Sequence, residues 1–192
     1  MVYGAMIKLR DLLIVFCLCL LSFLSKADPG PKFGLGTPAF AQEISAWDID
    51  IRPDGRGLPS GSGNAKEGRK IYQQQCAACH GDKGQGGPND QLVGRFERDV
   101  FLFSGAKTPK KTIGNYWPWA STLFDYVRRA MPYTSPGSLT DTEVYSVSAY
   151  LLYANGIITE DHILDAKSLP AIKMPAQDRF VPDNRSETNS VR

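Results

Sequence analysis

The sequence predicts an all-α domain with an extended, irregular arm at each end. Three observations carry that expectation. Three segments place apolar residues at helical spacing behind recognisable caps. No stretch alternates apolar and polar residues with the period of two that a half-buried strand requires. All thirteen prolines fall outside the helical segments, in loops and in the two ends. A chain of 192 residues is one domain or a small pair. Its 42% apolar content, with twenty aromatic residues, excludes disorder throughout.

Residues 1–27 read as a signal peptide. Lys8 and Arg10 precede an apolar run from Leu12 to Leu24, broken only by Ser22, which is too short to cross a bilayer comfortably. Small-residue cleavage sites end at Ala27 and, as an alternative, at Ala41. The expected location is therefore periplasmic, with no stable membrane span. Cutting after Ala27 removes Lys8, Arg10, Lys26 and Asp11, which turns the formal charge of +2 into zero. A neutral chain gives no reason to expect a nucleic-acid partner. Cys17 and Cys19 leave with the same segment, so Cys76 and Cys79 are the only cysteines of the mature chain. With no separate pair for a structural disulfide, an exported chain must use them for chemistry or attachment.

Residues 28–63 hold Pro, Gly, Asp and Ser without a sustained period and read as an extended arm. A domain over 64–165 follows. Asn64 caps a first helix running to about Cys79, with Glu67 in its first turn and Ile71, Gln75 and Cys79 on one face. Residues 81–94 are glycine-rich turn chemistry, and the loop continues irregularly to Trp119. A second helix has Ser121 or Thr122 as its cap, shows an apolar face of Leu123, Phe124, Val127, Ala130 and Met131, and stops at Pro132. The third is the best marked: Thr140–Glu143 is a capping box, Val144, Val147, Leu151 and Ala154 follow at helical spacing, and Asn155-Gly156 ends it. Residues 166–192 form an extended tail.

The chemistry sits in Cys76-Ala77-Ala78-Cys79-His80. A spacing of three puts both thiols on one side of a helix end, where each adds to one vinyl group of a haem, and the adjacent imidazole then ligates the iron. A thioredoxin-like pair would want a strand before it and a helix after it, whereas here the helix precedes. Zinc would need four ligands from Cys76, Cys79, His80 and His162, and the adjacent Cys79 and His80 suit one tetrahedron poorly. The mature chain offers Met131, Met174 and His162 as a sixth ligand, or an open position. Met131 lies 51 residues after His80, behind a long loop that suits closure over the far face of a haem. Met174 in the tail reads as a surface methionine, and His162 as exposed or capping. Thioether ligation by Met131 leaves no vacant position and points to electron transfer rather than substrate activation.

The chain resembles the class I cytochromes c over residues 64 to about 156. The resemblance rests on Gly68 and Tyr72 in the first helix, the Cys-Ala-Ala-Cys-His motif, Gly87-Pro88 with Leu92 and Gly94, the Met131-Pro132 pair, and Ala149-Tyr150-Leu151 in the last helix. It implies one covalent haem c, held by Cys76 and Cys79 with His80 and Met131 as axial ligands. It also implies Gly68 facing Tyr150 or Leu151, and the carbonyl of Pro88 accepting from the proximal imidazole. A narrower resemblance covers Trp47–Pro59, Gly114–Ala120, Thr122–Pro132 and Lys173-Met174-Pro175. These segments are similar to the cytochrome subunits of sulfite and sulfane dehydrogenases of sulfur-oxidising bacteria, in a single-haem form. That implies a molybdenum-cofactor subunit as electron donor and a downstream cytochrome or oxidase as acceptor, with the arms as candidates for the partner interface. A free-standing carrier to a terminal oxidase or another periplasmic enzyme is the alternative.

Other conspicuous residues invite roles at such a site. Tyr116 and Trp117, with Trp119, are placed to close a haem crevice or to act as ordinary core aromatics. Arg128 is a candidate partner for a propionate, with surface pairing of Arg128 or Arg129 to Asp125 as the alternative. Lys107, Lys110 and Lys111 form a small basic cluster that would steer an acidic partner or simply be solvated.

Overall fold

A computed structural model describes residues 35–96, 103 and 108–181. The signal-peptide reading, Lys107 and the last eleven residues lie outside the described residues. The chain falls into two compact units that divide between Ile44 and Ser45. The Phe40 amide donates to Glu43 at 2.7 Å and starts the seven-residue helix α1 (Ala41–Trp47), which runs across that division. Every residue of α1 is exposed. A helix thus interrupts the segment read as an extended arm, and it is too short to have shown a period in the sequence.

The second unit holds β1 (Ser62–Gly63), α2 (Ala65–Gln75), α3 (Ala77–His80), α4 (Ala120–Ala130), α5 (Asp141–Ala154), β2 (Leu164–Asp165) and a short 3-10 turn, Gln177–Arg179. β1 and β2 pair antiparallel, Ser62 with Asp165 and Gly63 with Leu164. These two rungs are too few residues to alternate, so they left no pattern to read. Among the described residues no helix is long and apolar enough to cross a membrane.

The frame is the crossing of α2 and α5. A Cβ at Gly68 would lie 1.8 Å from the Ser146 carbonyl oxygen and 2.9 Å from Cβ of Tyr150, so only glycine lets the two backbones meet. The expected partner Tyr150 is present, and Ser146 is nearer still. Tyr72 packs against Tyr150 with the rings tilted and their centroids 4.9 Å apart. The buried stripe of α2 is Ala65, Gly68 and Tyr72. This corrects the expected face of Ile71, Gln75 and Cys79: Gln75 and Cys79 are exposed and Ile71 is only half-buried. Glycine, which carries no apolar side chain, is what disguised the true stripe. Nine consecutive residues of α5, Val144–Leu152, are buried, because other elements cover the helix on all sides.

The cap of α4 is Trp119, two or three residues before the expected Ser121 or Thr122, and it makes no side-chain capping bond. Phe124 packs against Tyr145 of α5 with the rings tilted and their centroids 4.4 Å apart. The tail is not a free extension. Leu169, Met174 and Ala176 are buried, Met174 to 1% exposure. The expectation of a surface Met174 is therefore corrected: an irregular segment that contributes one apolar side chain at a time shows no period, yet fills the core.

Candidate functional site

Cys76 is the hinge of the motif. It ends α2, donating its N–H to Tyr72 O, and also starts the one-turn helix α3, so the expected single helix is broken at that residue. The amides of Cys79 and His80 both reach Cys76 O, at 3.1 and 3.0 Å. Gly81 closes the turn with a φ of +82°, a conformation that suits glycine. Cys76 is half-buried and Cys79 exposed, and both are free thiols. Burial, with Cys79 beside it, pushes the Cys76 thiol up to about 11. A redox-active pair requires a lowered thiol, so this environment does not favour dithiol–disulfide exchange.

His80 is oriented by its backbone surroundings. Its Nδ1 lies 2.7 Å from the carbonyl oxygen of Asp90, to which it donates. That bond fixes the tautomer and leaves Nε2 with a free lone pair for a metal. The acceptor is thus Asp90 rather than the expected Pro88, which is exposed on the same loop. The loop explains the shift. Gly86 N donates to His80 O, Asn89 N to Cys79 O, and both Leu92 N and Val93 N to Gly84 O. These bonds fold residues 81–93 so that the carbonyl two places beyond Pro88 faces the ring. Asn155, read in the sequence only as a helix stop, then staples the loop to α5. Its Oδ1 accepts from Gly94 N at 2.9 Å, and its Nδ2 donates to Leu151 O at 2.8 Å and Leu92 O at 3.3 Å.

Met131 stands at the C-cap of α4, its N–H donating to Val127 O at 3.1 Å, and is half-buried against the core. Leu92 and Trp117 are likewise half-buried against the core. Trp117 meets Tyr126 edge-on at 5.8 Å. Tyr116 lies among Phe103, Phe180 and the ammonium of Lys111, whose Nζ sits 4.3 Å from the ring centroid. Arg128 has partners other than a propionate: its Nε donates to Asp141 at 2.9 Å and Nη1 to the Ile49 carbonyl at 3.4 Å. Arg129 pairs with Asp125. His162 is half-buried, and its Nε2 has no hydrogen-bond partner.

The donor set fits a covalently held haem. Two unpaired thiols three residues apart occupy a single helical turn. They are followed at once by an imidazole whose outer nitrogen is held by a carbonyl, and half-buried apolar side chains are available to cover a ring.

Comparison with known proteins agrees with this geometry. Residues 63–151 match the family model described as cytochrome c oxidase, cbb3-type, subunit III. A solved chain of the sulfane dehydrogenase SoxCD from Paracoccus pantotrophus is 39% identical, with a TM-score of 0.69, over 82% of this chain and 76% of that one. The thiosulfate dehydrogenases of Stutzerimonas stutzeri (strain A1501) and Psychrobacter arcticus (strain DSM 17307 / VKM B-2377 / 273-4) are 31% and 27% identical, over 48% and 47% of this chain. The chain spans about a quarter of the length of these curated relatives, 28% and 26%. Fold, motif and matches together make the chain a member of the class I cytochrome c family, whose members bind haem c and transfer electrons. Within that family its likeness extends to a chain of the sulfane dehydrogenase SoxCD.

Proposed function

We propose that this protein is an exported, periplasmic haem subunit. It takes single electrons from a molybdenum-cofactor subunit oxidising sulfite or a related sulfur compound and passes them to a downstream cytochrome or oxidase. The observation that carries this reading is the reach of the likeness to the sulfane dehydrogenase chain. It covers 82% of this chain, whereas the domain over 64–165 is little more than half of it. The likeness therefore extends into the arms, which a diffusing carrier does not need.

Cys76 and Cys79 would hold one haem through thioether bonds, with His80 Nε2 and the Met131 sulfur as the ligands of its iron. When bound, the haem supplies a one-electron Fe(II)/Fe(III) couple. The chain's own contribution is to hold the ligands still. Asp90 keeps the imidazole from turning and raises its basicity. A thioether ligand from Met131 would favour the reduced state and leave the iron no open position for a substrate.

Purification of the tagged chain from its native periplasm tests the assignment. A copurifying molybdenum protein that reduces the haem when sulfite or a sulfane compound is added supports it. Recovery of the chain alone, still reducible by small reductants, would favour the free-standing carrier.

A further inference from the structure

We propose that residues 49–53 are a positioning strap for Met131, acting through α4. Three side chains on one face of α4 grip alternate backbone groups of this segment. Arg128 Nη1 donates to Ile49 O at 3.4 Å, Ile51 N donates to Asp125 Oδ1 at 3.2 Å, and Ser121 Oγ donates to Pro53 O at 3.2 Å. The strap runs antiparallel to the helix.

The registers match for a simple reason. Residues 121, 125 and 128 are spaced by four and three, which stacks them on one helical face over about 10 Å. Residues 49, 51 and 53 offer backbone groups at every second position, Pro53 entering the turn in which Gly55 N donates to Arg52 O. Two of the rungs are sheltered, since Ser121, Asp125 and Ile51 are 1%, 8% and 7% exposed, while the bond from Arg128 to Ile49 is exposed. Asp125 also accepts from Arg129 Nε at 2.9 Å, and Arg128 Nε reaches Asp141, the first residue of α5, at 2.9 Å. One face of α4 is thus tied to the strap on one side and to α5 on the other. Met131 follows the last residue of α4 and is bonded to Val127, so any rotation or slide of the helix moves its backbone. A thioether is a weak iron ligand, and its occupancy depends on the helix being held.

The inference rests on the reading of Met131 as the sulfur ligand, and the experiment separates the two. The ferric protein is titrated with imidazole, whose nitrogen replaces the thioether sulfur on the iron, and the loss of the far-red sulfur–iron band is followed. D125A and the double variant S121A/R128A are compared with D125N, which keeps an acceptor oxygen for Ile51, and with R129A, which leaves all three rungs intact. Haem retained after denaturation shows that each variant was assembled.

Losing a buried rung costs about 1–1.5 kcal/mol, so imidazole should bind about tenfold more tightly to D125A and to S121A/R128A. D125N and R129A should stay close to wild type. Wild-type imidazole affinity in both strap variants would overturn the inference, as would an equal gain in R129A. If M131A itself keeps the sulfur–iron band, the reading of Met131 fails instead; if M131A loses the band while the strap variants behave as wild type, only the strap fails.

Discussion

Replacing Cys76 and Cys79 together by alanine should abolish haem retention after denaturation, whereas H80A should keep the attached chromophore and lose its native spectrum. Haem staining of denatured protein beside visible spectra checks both. The motif that licenses these expectations was fully legible in the sequence, because its chemistry depends on residue type and spacing alone. The group that aims His80 was not. A carbonyl acceptor belongs to every residue, and only the folded loop shows that Asp90, not Pro88, supplies it. Gly68 was legible through family resemblance, and its role is steric. G68A would drive a methyl into the Ser146 carbonyl, so a loss of about 1–3 kcal/mol is expected from overpacking, read as a fall in denaturant midpoint at unchanged slope.

The helices show where local signals suffice. α5 begins and ends where its capping box and Asn155-Gly156 place it. Thr140 Oγ1 accepts from Glu143 N at 3.3 Å, and Glu143 Oε2 accepts from Thr140 N and Oγ1, each at 2.8 Å. These bonds to Thr140 hold the Glu143 carboxyl below its ordinary value. A carboxyl lowered in the folded state contributes stability above its unfolded pKa, and loses it as the pH falls through the folded one. T140A is therefore expected to cost about 1 kcal/mol near neutrality and less as the pH drops below about 4. Thermal unfolding of both proteins across that range checks the sign, since an undiminished cost in acid would mean that the carboxylate is not the partner that matters. β1, β2 and the buried tail were illegible for the opposite reason. Two-residue strands and single apolar insertions carry no period, and their burial is decided by what α5 leaves uncovered.

Across the whole molecule, the arm before the haem domain divides into parts with different duties. Residues 49–53 are bonded to α4, and Tyr145 OH donates to Pro59 O at 2.9 Å, so this stretch is part of the packed domain. α1 is exposed throughout. A mature chain starting at Asp48 is expected to keep the haem spectrum while losing retention of the molybdenum partner, as measured by copurification. A shorter chain starting at Ser60 should disturb the sulfur–iron band as well. The central claim is that the two mature cysteines are consumed in fixing one haem on which electron transfer depends. Its most direct test is the intact mass of the denatured native protein, taken with a thiol titration. The account predicts a chain heavier by one haem with no titratable thiol; a haem-free mass with two free thiols would contradict it.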